Sequence, residues 1–440
     1  MNEEEKSNRP DASTIPSQMG NYIFKDRIGS GSFSIVMQGI HVQTQQLVAI
    51  KVVKKNSSGA ERFQHEFNIM SKISHPFIID LFEFLEDQNN YYFVIEYASG
   101  GSLMRQINTM EALPEWLCRH YFCQLISAID YLHNSAKIAH RDIKCENILI
   151  DKSGNIKLID FGLSQIFSNE DDEFDIACGS LSYASPEMML GRKYTKNVDL
   201  WSAGVVLYAM AVGTLPFDDS QPHQLVVKIV SKEPNYPEYV SPVLKDLLQR
   251  MLMKEASYRM NIEKIKGHQW FTGYYAANIM NKDFGIKQNW RIDPDSFDPD
   301  DSILTELEQH SIDTSKIVMI IKNNEYTPIA SVYRMLMREK MIDQMIGMID
   351  KARNVQSRKH MMPTMKASDC YHPLSLSDRA PLNFVQAKQM KSMVDARVPI
   401  RYNSNVFPIS ANPNLPARIN SDLPQGRTQR RRTLPKQGVN

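Results

Sequence analysis

The stretch HRDIKCEN at residues 140–147 decides the interpretation of this chain. Eighteen residues after Asp142 the chain reads DFG at residues 160–162, and SPE follows at residues 185–187. Each motif is short, and an aspartate alone often does no more than cap a turn. Their order and spacing along one chain are therefore more informative than any one of them.

The sequence upstream predicts a hairpin that could hold phosphate. Residues 22–53 alternate apolar and polar positions, which predicts three antiparallel strands. The first turn, GSGSFS at residues 29–34, contains glycines that let backbone N–H groups approach an anion. The third strand carries Lys51 in VAIK, and a helix predicted over residues 60–72 carries Glu66. Pairing with Glu66 would keep Lys51 ionised and directed at the same phosphates.

Together these motifs resemble the signature set of the eukaryotic protein kinases. The resemblance covers residues 22–271 and includes Arg259, the usual partner of the Glu187 carboxylate. A lysine two residues after the aspartate, here Lys144, resembles the pattern of the serine/threonine-specific branch. The resemblance implies an α+β, two-lobed fold with a small lobe and a larger helical lobe. The small lobe would contain a five-stranded antiparallel sheet and one helix.

The resemblance also implies which residues act on ATP and Mg²⁺. Phosphoryl transfer needs alignment and charge neutralisation more than covalent help from the protein. Asp142 would act as the base towards the substrate hydroxyl, and Lys144 would steady the transferring group. Asp160 and Asn147 would hold Mg²⁺. Adenine would lie between apolar side chains and bond the Glu96 carbonyl and the Ala98 amide, with Ile95 as gatekeeper. The expected nucleotide-binding set is Ile28, Gly29, Ser30, Gly31, Ser32, Phe33, Ser34, Val36, Ala49, Lys51, Glu66, Ile95, Glu96, Ala98 and Glu146.

The activation segment, residues 160–187, departs from the pattern of its relatives. Relatives with the same Cys-Gly-Ser sequence carry an activating phosphothreonine at the position of Ile176, which cannot be phosphorylated. Arg141 provides the guanidinium that would bind the phosphate. Asp175 or the acidic run 170–173 could supply a negative charge in place of that phosphate. A carboxylate brings a smaller charge than phosphate. The sequence therefore predicts activity without an upstream activating kinase.

Substrate preference is partly legible from acidic positions. Arginine-directed relatives recognise basic residues through acidic side chains, and Glu146 matches one such position. Ser102 and Ala209 replace acids at two others. The expected partners are therefore proteins with a Ser or Thr acceptor and a weak preference for an upstream arginine.

A second unit is predicted over residues 301–354, after a linker at 272–300. Apolar residues at Ile329, Val332, Tyr333 and Leu336 follow helical spacing, and two shorter helices precede them. The unit resembles the three-helix ubiquitin-associated-like domain of AMP-activated and microtubule-affinity-regulating kinases. It would dock on the kinase domain and tune it. A plain helical hairpin packed there is the alternative.

Both ends of the chain are predicted to be unstructured. Residues 355–440 contain 14 Lys and Arg against 4 Asp and Glu, a formal charge of +10, and no sustained apolar period. Such a segment cannot bury enough apolar surface to offset its ordering entropy. Residues 1–20 are also polar. The basic tail could contact nucleic acid, anionic lipid or acidic protein, or simply remain solvated.

Composition limits the class of protein. A charged fraction of 23% with 42% apolar residues excludes a fully disordered or fibrous chain. No apolar run approaches the roughly 20 residues needed to span a bilayer. The five cysteines form no C-x-x-C pair, which favours a reducing compartment. The expected location is the cytoplasm, with the nucleus as an alternative because the tail ends in a basic cluster.

The leading hypothesis is an ATP- and Mg²⁺-dependent serine/threonine kinase of the calcium/calmodulin-dependent group, in its AMP-activated-like branch. An inactive scaffold that uses the kinase fold only for binding is the alternative. Intact Lys51, Asp142, Asn147 and Asp160 argue against it. A third hypothesis, nucleic-acid binding through the tail, predicts an affinity that falls steeply with salt.

Overall fold

A computed structural model describes residues 10, 15–31, 33–55, 59–176, 178–274, 277, 291–309 and 313–360. Ser32, the first part of the predicted N-terminal segment, most of the predicted linker and the tail beyond residue 360 lie outside the described residues. Within them, the chain forms a small lobe built on an antiparallel sheet, a large helical lobe and a C-terminal helical unit. The α+β, two-lobed architecture expected from the sequence is confirmed.

The small lobe contains a six-stranded sheet with the order β1-β2-β3-β4-β6-β5. Five strands were expected, and the sixth is the two-residue β1, which pairs with β2 from within the predicted unstructured segment 1–20. Two residues give too short an apolar pattern to be recognised in a sequence. The strands are β1 Gln18–Met19, β2 Tyr22–Ser30, β3 Ser34–His41, β4 Leu47–Lys54, β5 Leu81–Glu86 and β6 Asn90–Glu96.

One helix, α1 Gly59–Met70, packs on this sheet. Its Phe63 ring is stacked on Phe93 of β6, with ring centroids 3.8 Å apart. Both side chains are almost completely buried. This aromatic contact fixes the helix over the face of the sheet that also carries Lys51, so that Glu66 of α1 points at that lysine.

The large lobe is organised around α5, Val198–Val212, in which all fifteen residues are buried. A helix that is apolar on every side belongs in a protein core. It ends at Gly213, whose φ of 82° is unfavourable for other residues. The other helices of this lobe are α2 Leu103–Met110, α3 Glu115–Asp130, α4 Pro186–Met189, α6 Pro222–Ser231, α7 Pro242–Met251, α8 Ile262–Gly267 and α9 Gln269–Thr272.

Four short strands lie between the lobes. β8 Ile148–Ile150 pairs with β9 Ile156–Leu158, and β7 Ile138–Ala139 pairs with β10 Gln165–Ile166. HRD at residues 140–142 follows β7 directly, and DFG at residues 160–162 follows β9. The two ladders therefore hold both motifs at one place between the lobes.

The C-terminal unit consists of α10 Asp301–Gln309, α11 Ile317–Lys322 and α12 Pro328–His360. Ile303, Leu307, Ile317 and Tyr333 form its own buried cluster. Helix α12 continues to His360, beyond the predicted end of the unit and into the segment assigned to the tail.

Helix α12 contacts both lobes. Met335 belongs to the buried cluster formed by β2, β4 and β6, whereas Met345 and Ile349 belong to the core that includes α3. Arg353 lies near the C-terminal end of α12. Burial, as the largest cause, and the Arg353 guanidinium lower the pKa of His120, on α3, to about 4. None of the helices in the described part of the chain could span a bilayer.

Candidate active site

The β8–β9 hairpin brings the two motifs together. Asn147 closes a short 3₁₀ turn just before β8, and its carbonyl accepts a 2.9 Å hydrogen bond from the N–H of Ile159. The next residue is Asp160, whose φ is 66°. A positive φ is strained for a non-glycine residue and is typical of functional sites. Two motifs separated in sequence are thus adjacent through a backbone hydrogen bond.

The Asp142 carboxylate is the centre of the site. Oδ2 accepts hydrogen bonds from Lys144 Nζ at 2.6 Å and from Asn147 Nδ2 at 2.9 Å. Oδ1 accepts from the backbone N–H of Ser180 at 3.1 Å and from its hydroxyl at 3.3 Å. Lys144 Nζ also donates to the Ser180 hydroxyl at 3.0 Å. The three predicted catalytic-loop residues therefore share one set of contacts, which also includes a serine of the activation segment.

Asp160 and Asn147 present oxygen atoms that could hold Mg²⁺. Burial acts to raise the pKa of Asp160, but Lys51, Lys144 and His140 outweigh it, so that the pKa lies below its ordinary value. Asn147 donates from Nδ2 to the carbonyl and carboxylate of Asp142, both at 2.9 Å, which leaves its amide oxygen to act as a ligand. An ionised carboxylate and an amide oxygen are ligands that Mg²⁺ prefers.

Lys51 and Glu66 form a bidentate ion pair, as their sequence positions predict. Lys51 Nζ lies 2.7 Å from Oε1 and 2.6 Å from Oε2 of Glu66. Burial alone would lower the pKa of Lys51, but the carboxylates of Glu66 and Asp160 raise it above its ordinary value. The ammonium therefore stays charged and lies in the electrostatic field of Asp160.

Strand register places the glycine turn beside this lysine. Val36 of β3 pairs with Gly29 on one side and with Lys51 on the other. The turn itself is closed by a 2.9 Å hydrogen bond from the N–H of Gly31 to the Ser34 carbonyl. Ser30 precedes the turn and Phe33 lies within it, whereas Ser32 lies outside the described residues.

The expected adenine side chains also share one face of the sheet. Ala49 pairs with Ile95, two positions before Lys51 pairs with Phe93, and cross-strand partners lie on the same face. Glu96 is the last residue of β6, and Ala98 follows in the connection to the large lobe. Ile28 remains exposed on β2. Of the predicted nucleotide-binding residues, Val36, Ala49 and Ile95 therefore lie on the face of the sheet that carries Lys51.

Arg141 makes contacts that the sequence did not predict. Its Nε donates to the Leu163 carbonyl at 2.8 Å, and Nη1 donates to the Tyr194 hydroxyl at 3.3 Å. The guanidinium carbon lies 5.2 Å from the ring centroid of Phe174, a cation–π distance. Tyr194 in turn donates to the carbonyl of Ile176 at 2.5 Å. Aromatic side chains thus contact the Arg141 guanidinium, which was expected to meet a carboxylate or a phosphate.

The acidic run contributes through other partners. Glu170 forms ion pairs with Lys137, at 2.8 Å, and with Lys196. These hydrogen bonds lower the pKa of Glu170 to about 2. The acidic run was expected to neutralise Arg141. In the structure, Glu170 of this run instead joins the activation segment to two lysines of the large lobe. Ile176 itself is 69% exposed.

Glu146, expected to recognise an upstream basic residue, is half-buried. Burial raises the pKa of its carboxyl above the ordinary value, although nearby Lys144 acts in the opposite direction. Its Oε2 is buried, and a hydrogen bond with the Tyr183 side chain also acts to lower this pKa.

Comparison with known proteins agrees with this geometry. The family described as protein kinase domain matches residues 22–271, more than half of the chain. The SNF1-related protein kinase catalytic subunit alpha KIN12 of Arabidopsis thaliana is 39% identical over 59% of this chain and 53% of its own length. The hormonally up-regulated neu tumor-associated kinase of Homo sapiens is 35% identical over 79% of this chain and 50% of its own.

A probable serine/threonine-protein kinase KIN1 homolog of Enterocytozoon bieneusi is 40% identical over 60% of this chain and 44% of its own length. The chain thus matches about half the length, or less, of these relatives. The resemblance inferred from the motifs, including its AMP-activated-like branch, is confirmed by these similarities.

Proposed function

The chain belongs to the protein kinase family, and on that premise we propose that it transfers the γ-phosphate of ATP to Ser and Thr hydroxyls of proteins. The observation that carries this proposal is the Asp142 carboxylate, which contacts Lys144, Asn147 and Ser180 at once. An ionised Asp160 lies one residue beyond the backbone bond to Asn147.

Each residue has a separate part in the proposed reaction. Asp142 accepts the hydrogen of the substrate hydroxyl and orients its oxygen, while Lys144 balances charge on the transferring group. Asp160 and Asn147 would hold Mg²⁺, which neutralises charge on the phosphate oxygens when bound. Lys51, fixed by Glu66, binds the α- and β-phosphates. The protein thus contributes alignment and electrostatics rather than a covalent intermediate.

Substrate choice and regulation are part of the same proposal. The Glu146 carboxyl, half-buried in the catalytic loop near Asp142, supports a weak preference for a basic residue upstream of the acceptor. The activation segment needs no phosphate, since Glu170 binds two lysines and Arg141 lies against Phe174. The helical unit docks on the kinase domain and tunes it, and the basic tail contacts anionic partners. The proposed location of the protein is the cytoplasm, with the nucleus as a second location.

Peptide phosphorylation by protein made in bacteria tests the proposal. We expect Ser and Thr peptides to be phosphorylated without prior treatment by another kinase, and peptides with an upstream Arg to be preferred over Ala analogues. Asp142→Asn should lower kcat by about 1,000-fold, because it removes the base and its charge, while MgADP still binds.

Two results would contradict the proposal. A chain that binds MgADP but transfers no phosphate to any Ser or Thr peptide would favour the inactive scaffold. A chain that becomes active only after phosphorylation by another kinase would contradict the proposed independence from an activating phosphate. Equal rates for the Arg and Ala peptides would remove the proposed role of Glu146.

A further inference from the structure

Four buried charged side chains meet between α12, which packs against the edge strand β5, and the end of β6. Oε2 of Glu96 accepts hydrogen bonds from Nε of Arg338 at 3.0 Å and from its Nη2 at 2.6 Å. Oε1 of Glu96 lies 2.7 Å from Lys157 Nζ, which also lies 3.7 Å from Oδ2 of Asp151. Each of these side chains is 10% exposed or less. We call Glu96, Lys157, Asp151 and Arg338 the hinge charge cluster.

The formal charge of the hinge charge cluster balances only when α12 contributes to it. Two carboxylates, Glu96 and Asp151, face the single ammonium of Lys157 inside the kinase domain. Arg338 supplies the second cation from a position 242 residues further along the chain. Without it, a buried negative charge would have no matching cation, which a low-dielectric interior strongly disfavours.

Arg338 also binds the loop that follows α1. Its Nη1 donates to the His75 carbonyl at 2.8 Å, and its Nη2 donates to the carbonyls of Pro76, at 3.2 Å, and Ile78, at 2.5 Å. One guanidinium therefore joins this loop to the end of β6. The planar arrangement of its donors suits such a role, which a lysine could fill only in part.

The side chain of Glu96 and its main chain have different tasks. The carboxylate of the side chain forms ion pairs with Arg338 and Lys157. The carbonyl of Glu96 and the amide of Ala98 are the groups assigned to the adenine edge. Hydrogen bonds depend on distance and angle, so a small displacement of this segment weakens both of them.

We propose that Arg338 is a positioning residue for nucleotide binding. By completing the hinge charge cluster from α12, it fixes the main chain from Glu96 to Ala98 in the geometry that receives adenine. The helical unit thereby strengthens the affinity of the kinase domain for ATP and ADP. This inference rests on the proposed function and adds a residue outside the kinase domain to its nucleotide site.

Titration of the full chain with MgADP by calorimetry tests this role. Arg338→Met should raise Kd about tenfold, the loss expected for one well-formed hydrogen bond. Arg338→Lys keeps the charge but loses the forked contact, so its Kd should rise about threefold. The double variant Glu96→Gln/Arg338→Met restores neutrality, and its Kd should return to within about threefold of the unmodified chain.

Arg334→Met is the matched control. Arg334 is also buried on α12, but it donates to the carbonyls of Phe82 and Glu325 and is not a member of the cluster. We expect this variant to lower the melting temperature while its Kd for MgADP changes less than about twofold. In peptide assays, Arg338→Met should raise KM for ATP and leave KM for the peptide unchanged.

The results separate this inference from the proposed function. If Arg338→Met binds MgADP as tightly as the unmodified chain, the inference is wrong whatever the activity. Equal rises in Kd for Arg338→Met and Arg334→Met would also overturn it, because they indicate a general loss of packing. If the unmodified chain transfers no phosphate but Kd follows the expected order, the inference stands and the proposed function fails.

Discussion

Asp199 holds Arg141 by a 2.8 Å hydrogen bond in which Oδ1 of Asp199 accepts the backbone N–H of Arg141. Oδ2 accepts the N–H of His140 and lies 2.8 Å from Nε2 of His133. Arg141 has a φ of 63°, a conformation that costs a non-glycine residue about 1–3 kcal/mol. The completely buried carboxylate of Asp199 therefore stabilises a strained catalytic loop and, through it, the position of Asp142.

We predict that Asp199→Asn lowers kcat for peptide phosphorylation about 100-fold. It weakens two hydrogen bonds to a charged acceptor, each worth roughly 1.5 kcal/mol. The measurement is steady-state kinetics with one Ser peptide. Asp246→Asn is the control, because Asp246 pairs with Arg250 on the surface of α7. Equal activity of Asp199→Asn and the unmodified chain would show that the catalytic loop keeps its geometry without this carboxylate.

We predict that Gly179→Ala lowers kcat/KM by more than about tenfold, since the strain and clash together exceed about 1.4 kcal/mol. Gly179 has a φ of 90°, and an added Cβ would lie 2.6 Å from the Arg141 carbonyl and 3.4 Å from Oδ1 of Asp142. The methyl group would therefore displace either the activation segment or the catalytic loop.

Gly191→Ala provides a matched control for this change. Gly191 has a φ of 63° but no atom within 4 Å of an added Cβ. It should lose about 1 kcal/mol of stability from its backbone conformation and keep its activity. If both variants lose activity equally, backbone strain rather than the contact with the catalytic loop is responsible.

We predict that the stabilising effect of Glu170 depends on pH in the acid range. Its pKa is lowered to about 2 in the folded chain from an ordinary value of 4.5. A lowered pKa means that the contribution is complete above about pH 4.5 and is lost as the pH falls towards 2. The difference in urea unfolding free energy between the unmodified chain and Glu170→Gln should therefore shrink between pH 4.5 and 3.

Glu173→Gln is the control for this titration, because Glu173 pairs with the exposed Lys193, whereas Glu170 binds two lysines and one of them, Lys196, is largely buried. Exposed ion pairs contribute little to stability. If the difference in unfolding free energy between the unmodified chain and Glu170→Gln stays constant from pH 7 to pH 3, the charge of Glu170 does not contribute to stability through its two lysines.

Local contacts of the site were predictable because short motifs specify them. The Lys51–Glu66 pair spans 15 residues and follows from an apolar strand, one lysine and an amphipathic helix. The proximity of Asn147 and Asp160 was implied by the family resemblance, and in the structure it arises from a hairpin of two three-residue strands. In each case, secondary structure alone brings the side chains together.

Contacts between distant segments were not predictable. Arg338 and Glu96 meet through the packing of one unit on another, and nothing in the periodicity of α12 identifies the acceptor. Arg141 was expected to meet a carboxylate, but Phe174 and Tyr194 lie beside it because an antiparallel bridge joins those two residues. An isolated bridge leaves no pattern in the sequence, and aromatic residues at such positions also suit an ordinary core.

Helix α12 has a mechanical consequence for the domain it contacts. Its 33 residues form one continuous segment about 50 Å long, with Met335 among the strands of the small lobe and Met345 in the core that includes α3. A helix bends little without a proline or a bulge. Separation of the lobes to let a spent nucleotide leave must therefore detach one end of this brace or curve it. Residues far from any reacting atom would then contribute to the free energy of that separation.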